Sequence, residues 1–149
     1  MTDERKVQEL TLNTLNIFIK FCDDHNLRYY FTGGALIGVM RHKGFIPWDD
    51  DIDIGMPRKD FDLFHDLIKE EMPEGFGICN RNTDVDWHFA MSQFIDLRSE
   101  IEINLAEKPR KAHIWIDIFP LDGLPDNDII RWLKVKYILI HRYLVQIAF

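Results

Sequence analysis

A chain of 149 residues with 46% hydrophobic and 13% aromatic content is sized for one domain with a real core, which excludes wholesale disorder. The formal net charge of -7 argues against nucleic acid as a broad-surface partner, because that binding rests on basic side chains neutralising phosphates. Two cysteines, Cys22 and Cys79, make neither a disulfide framework nor a zinc site, and the charged N-terminus MTDERKVQEL is not a signal peptide, so the expectation is a cytoplasmic protein with reduced core thiols.

Val7, Leu10, Thr14, Ile17, Phe18 and Phe21 recur at helical spacing and predict an amphipathic helix over 4–24, closed by the polar run at 23–26. The aromatic stretch LRYYFT, 27–32, predicts a strand that runs into Gly33 and Gly34; a short helix follows over 35–41, with Gly44 as its stop. Residues 51–56 alternate with period two and predict a strand. Pro57 suits the first turn of the next helix, whose apolar face is Phe61, Phe64, Leu67 and Ile68. Further strands are predicted over 76–80, 89–97 and 101–105, a basic turn over 108–111, and a second strongly alternating strand, IWIDIFPL, over 114–121. Asp126 or Asp128 is placed to cap a last helix, with Ile130, Leu133, Tyr137, Ile140, Leu144 and Ile147 on one side. The sequence thus divides into a core over 1–125 and a terminal helix over 126–149. That helix needs something to pack against: it is expected to begin a further part of the chain, to dimerise or aggregate, or to associate peripherally with a membrane surface.

The chemistry concentrates in residues 33–60, GGALIGVMRHKGFIPWDDDIDIGMPRKD. In a strand, residues two apart share a face, so Asp51 and Asp53 lie on one side, about 6–7 Å apart, and Ile52 and Ile54 on the other. Carboxylates so placed repel unless a cation or proton intervenes, and magnesium is commonly held by one or two carboxylates together with substrate phosphates. A third acid completes such a site. Asp117, flanked by Ile116 and Ile118, repeats the pattern; Asp96 competes, with Arg98 on the same face to satisfy it. Asp49 joins the metal face if the strand starts early, whereas Asp50 faces away. Counted from Asp49, an EF-hand loop fails where it needs its glycine and its last glutamate, at Ile54 and Asp60. Gly33 and Gly34 are either an ordinary turn or a loop whose N–H groups approach phosphate at a helix N-terminus. Arg41, His42 and Lys43 either contact phosphate or complement the helix C-terminus. The other five histidines lack ligand spacing and are expected on the surface or hydrogen-bonded.

The segment GGALIGVMRHKGFIPWDDDIDIGMPRKDF closely resembles the signature of the LicD family of phosphocholine transferases, and IDIFPLDGLP, 116–125, resembles that family's second motif. Fukutin and fukutin-related protein are vertebrate relatives. The resemblance implies an α+β, nucleotidyltransferase-like fold: a small mixed sheet flanked by helices. It implies that Gly33 and Gly34 bind the nucleotide phosphates; Arg41 and Lys43 are candidate further contacts from the residues themselves. Asp51, Asp53 and Asp117 are then the catalytic and metal-binding acids for Mg²⁺ or Mn²⁺. It further implies transfer of phosphocholine, or of a related alcohol phosphate such as ribitol phosphate, from CDP-choline or a similar CDP-alcohol to a sugar hydroxyl of a cell-surface glycoconjugate, at the inner face of the membrane. Family members continue well past residue 149. The alternative readings are a truncated, non-catalytic metal- or nucleotide-binding module and a metal-dependent phosphodiesterase.

Overall fold

The computed structural model describes residues 3–103 and 110–148. Helix α1 (Asp3–Asp24) leads through the left-handed residue Asn26 into β1 (Tyr30–Phe31), then α2 (Gly33–His42) and β2 (Asp53–Pro57). Helix α3 (Arg58–Glu70), β3 (Phe76–Cys79), β4 (Ser92–Ile103), β5 (Arg110–Leu121) and α4 (Asp128–Ala148) follow. The five strands form one sheet in the order β1-β2-β5-β4-β3. Strands β2 and β5 are parallel and the other pairs antiparallel. This is the α+β mixed sheet with flanking helices that the sequence predicts.

The alternating isoleucines set the sheet's two faces. Ile52, just before β2, Ile54 and Met56 of β2, Ile114, Ile116 and Ile118 of β5 and Phe94 of β4 point inward and are buried. Helices α1 and α3 cover that face, contributing Phe18, Phe21, Phe61, Phe64 and Ile68. Phe94 stacks on Phe76 at 5.1 Å, and Phe64 meets Phe18 edge-on at 5.4 Å. Both contacts are geometries that aromatic quadrupoles favour. Cys22 is fully buried in this core, and burial pushes its thiol up to about 12. Cys79 is only half-buried, at the end of β3, so one of the two expected core thiols lies outside the core.

Several elements differ from expectation for identifiable reasons. Strand β1 is two residues long, pairing Tyr30 with Gly55 and Phe31 with Ile54, because Leu27 is still tied to the end of α1 through its N–H to the Cys22 carbonyl. Helix α2 stops at Lys43, which takes the left-handed conformation itself (φ 57°), and not at Gly44. The close approach here belongs to Gly38: a side-chain carbon on it would sit 2.5 Å from the Gly44 carbonyl oxygen. Strand β2 begins at Asp53, two residues late, although the Ile52 carbonyl already accepts from the Asp117 N–H. Pro57 closes that strand opposite Leu121, and α3 begins one residue later. Asn127, and neither neighbouring aspartate, caps α4: its Oδ1 accepts from the N–H groups of Ile129 and Ile130. Helix α4 adds nothing to the described core; Ile129, Trp132 and Tyr137 are 71%, 58% and 68% exposed. No described helix is long and apolar enough to cross a membrane.

The strands predicted over 89–97 and 101–105 are one strand, β4, through Ile103; residues 104–105 of that expectation, and 108–109 of the basic turn, lie outside the described residues. The break in alternation marks a bulge between Asp96 and Ile101, where the register to β5 jumps from Ile114 to Ala112. Side chains repair the ladder. Ser99 Oγ donates to the Asp96 carbonyl at 2.6 Å and accepts from the Ile114 N–H at 2.7 Å. Asp96 accepts from the Arg98 N–H at 3.0 Å and from its guanidinium at 2.8 Å. Ser99→Ala orphans the buried Ile114 N–H and is expected to cost about 1–3 kcal/mol, measured by denaturant unfolding, with faster exchange of that amide.

Candidate active site

The face of the sheet opposite the core carries the acids. Because β2 and β5 are parallel and in register, Asp53 stands directly beside Asp117, and Asp117 directly beside Gln93 of β4. These three side chains form a row across three adjacent strands, each step about 4.8 Å. Gln93 Nε2 donates to Asp117 Oδ1 at 2.9 Å and so fixes one carboxylate oxygen. Asp96, the rival third acid, is 7% exposed on the core-facing side and forms an ion pair with Arg98 at 2.8 Å. That guanidinium holds its carboxyl below the usual range.

The glycine pair closes over this row from the N-terminus of α2. Gly33 adopts φ +53°, and a side-chain carbon there would collide with Asp53 Oδ2. One on Gly34 would lie 2.5 Å from Asp49 Oδ2. Both positions are therefore glycine because carboxylates occupy the space, and they open α2, whose first-turn N–H groups have no intrahelical partners. The positive end of the helix dipole favours negative charge there.

Asp49 reaches the cluster by a route the alternation did not indicate. The segment after α2 turns back, with the Asp49 N–H bonded to the Ile46 carbonyl at 3.0 Å. Helix α1 holds it: Gln8 Nε2 donates to the Asp49 carbonyl at 2.8 Å, and Thr11 Oγ1 lies 3.3 Å from the Asp50 carbonyl. Neither Gln8 nor Thr11 stands out in the sequence, since each acts on a residue about forty positions away. Gln93 is equally silent in the sequence; only its place opposite Asp117 in the β4–β5 ladder gives it a role.

The electrostatics follow from crowding. Asp49 and Asp51 share a hydrogen bond, which, with burial and the charges of Asp51, Asp50 and Asp53, pushes the Asp49 carboxyl up to about 6. Burial raises Asp53, and the charges of Asp51 and Asp117 add to it. Burial also raises Asp117; hydrogen bonds from Gln93 and Trp115 pull the other way, and the Asp51 charge adds to the rise. Asp49, Asp51, Asp53 and Asp117 thus form one mutually repelling group. Among the described residues no set of three or more aspartate, glutamate, histidine or cysteine side chains is arranged to hold a metal ion as it stands. The donor set is nonetheless all oxygen and strongly acidic, which suits magnesium, an ion that needs only one or two protein carboxylates.

Arg41 and Lys43 are exposed at the far end of α2, about 12 Å from the glycine pair at 1.5 Å per residue. Among the described residues neither forms an ion pair. Arg58 is tied up at the surface by Asp122, at 2.8 Å. His65 donates from Nδ1 to the Phe61 carbonyl at 2.7 Å and accepts at Nε2 from Ser92 Oγ at 2.8 Å, and burial lowers its pKa. A cavity of about 360 Å³ beside it, between α3 and residues 80–92, contains none of the four acids.

The Asp49 carboxyl binds its proton more tightly in the folded state than its ordinary 3.8 allows. Between that value and about 6 the folded protein takes up a proton, so stability falls as pH rises through this window and is regained below it. In chelator, thermal melts should show Asp49→Asn more stable than the parent near neutral pH, with the advantage shrinking towards about pH 4. An equal difference at both ends would remove the shared-proton account.

The sequence matches the LicD/FKTN/FKRP nucleotidyltransferase domain over residues 26–142. It is 38% identical over 136 residues to the lipopolysaccharide cholinephosphotransferase LicD of Haemophilus influenzae, covering 89% of this chain and 49% of that protein. An uncharacterised protein of Rickettsia typhi is 30% identical over 113 residues, 76% of this chain and 34% of its own length. A 34-residue segment is 47% identical to the human ribitol 5-phosphate transferase FKRP, 23% of this chain and 7% of that protein. The chain spans about half, or less, of the length of these relatives. With the domain match running from β1's approach into α4, and with the bacterial transferase similar along nearly all of it, the chain belongs to the LicD family.

Proposed function

We propose that this chain carries the donor-binding and metal-binding half of a phosphotransferase that moves phosphocholine, or a related alcohol phosphate, from a CDP-linked donor to a sugar hydroxyl of a cell-surface glycoconjugate. The observation that carries the reading is the in-register placement of Asp53 beside Asp117, directly under the Gly33–Gly34 turn. The similarity to a lipopolysaccharide cholinephosphotransferase and a ribitol 5-phosphate transferase supports an alcohol phosphate as the group moved.

In this mechanism the N–H groups of Gly33 and Gly34 bind donor phosphate at the α2 N-terminus. Asp51, Asp53 and Asp117 would hold Mg²⁺ or Mn²⁺, which when bound supplies positive charge against the phosphate oxygens. Gln93 keeps Asp117 oriented by occupying one of its oxygens. Gln8 and Thr11 hold the backbone of the Asp49–Asp50 segment against α1 and so keep the acid group assembled when its charges are unneutralised. One carboxylate of the group accepts the proton of the attacking hydroxyl as its oxygen bonds to the transferred phosphorus, and CMP leaves with the electrons of the broken phosphoanhydride bond. Positioning and electrostatics account for most of the rate in such chemistry.

Calorimetry with CDP-choline is the direct test. Binding should require Mg²⁺ or Mn²⁺ and should fall by at least about a hundredfold in Asp51→Asn plus Asp53→Asn, as loss of the ion held between the acids and the phosphates implies. Equal binding without metal, or survival in the double variant, removes the proposed role of the acids. Release of phosphocholine to water would identify a phosphodiesterase, and metal-dependent binding without turnover a binding module.

A further inference from the structure

We propose that the cavity between α3 and residues 80–92 is a carbohydrate-binding subsite that holds one pyranose ring of a glycan. It measures about 360 Å³, the lower end of the range that small-molecule sites occupy. Its lining combines apolar walls with a few fixed polar atoms, the usual make-up of such sites. Phe61, almost fully buried, lies on the α3 side, and Phe89, 59% exposed, on the loop side. Trp87 braces Phe89 edge-on at 5.2 Å and is itself anchored by its indole N–H to the Met91 carbonyl at 2.9 Å. An aromatic ring held in this way and left open offers a flat apolar surface to the C–H face of a sugar.

The polar atoms suit hydroxyl groups. Asn80 is 8% exposed; its Oδ1 accepts from the Asn82 N–H at 2.8 Å, and its amide nitrogen has no hydrogen-bond partner among the described residues. A buried donor without a partner is costly, so this amine marks where a ligand oxygen belongs. Ser92 Oγ donates to His65 Nε2 at 2.8 Å, because the His65 Nδ1–H is already given to the Phe61 carbonyl. The Ser92 oxygen therefore keeps lone pairs for a ligand donor. One fixed donor and one fixed acceptor face the same space, and a hydroxyl can answer either. The charges lining the cavity balance: Asp62 and Asp66 are matched by Lys69 and Arg81, with Lys69 and Asp66 paired at 2.9 Å. That balance fits a neutral polyhydroxyl ligand and not a nucleoside diphosphate. Ser92 opposes Ile118, next to the Gln93–Asp117 pair, so the cavity lies on the α3 side of the sheet at the level of the acids. The ring bound there is a unit of the acceptor glycan other than the one that reacts. Only this origin of the sugar rests on the phosphotransferase reading; binding in the cavity does not use the acids.

The test is titration of the intact, isotope-labelled chain with the methyl glycosides of glucose, galactose and N-acetylglucosamine, followed by heteronuclear NMR. At least one glycoside should shift the Asn80 side-chain amide signals. Phe89→Ala, at an exposed position, should weaken that binding at least about tenfold. Asn80→Asp, which keeps the oxygen that accepts from Asn82, should weaken it at least about fivefold. Both variants should keep the circular dichroism spectrum of the parent. A glycoside shift in a chain that fails to bind CDP-choline supports the subsite while removing the donor reading. No shift with any of the glycosides, binding that Phe89→Ala leaves unchanged, or displacement of the glycoside by CMP would overturn the proposal.

Discussion

The structure depends on the parallel pairing of β2 with β5. On one face of that pair, Ile52, Ile54 and Met56 meet Ile114, Ile116 and Ile118 in the core. On the other, Asp53 meets Asp117. Two carboxylates on adjacent strands repel, and nothing local would choose that arrangement. The register is dictated from the opposite side: a slip of one residue would turn the isoleucines to solvent and the aspartates into the aromatic core. Burial of each such side chain is worth roughly 1.5–3 kcal/mol, enough in sum to hold like charges together without a counter-ion. The acids are thus strained electrostatically, not geometrically.

The same logic explains which parts of the site could be read from the chain. Asp51, Asp53 and Asp117 stand out because each is an acid in an alternating apolar run, although β2 begins only at Asp53 and leaves Asp51 exposed in the segment before it. The rejection of Asp96 was equally legible, since Arg98 two residues on has the reach to neutralise it, and does. Gly33 and Gly34 were visible as a pair, though their reason is tertiary: each lies against a carboxylate from another segment.

What could not be read depends on contacts between distant segments. Asp49 enters the cluster through a turn at Ile46 and a hydrogen bond from Gln8, neither of which leaves a periodic trace. The single strand β4 looked like two because a bulge broke the alternation, and the pieces that mend it, Ser99 and Asp96, are polar residues that resemble a loop. The left-handed Lys43 runs against the local preference for glycine, and the chain tolerates it because the following loop must pass close over Gly38.

The bulge has a consequence for how the site is insulated. Strand β4 spends four residues, 97–100, where β5 spends one, so the two ends of this long hairpin are held in separate registers. Gln93 and Asp117 belong to the near end, Ile101 and Ala112 to the far one. Slack inserted or removed beyond Ile101 is taken up at the bulge before it can displace Gln93 from Asp117. The acid-bearing end of the sheet is in this sense mechanically buffered, free to keep its alignment while the distal hairpin changes length.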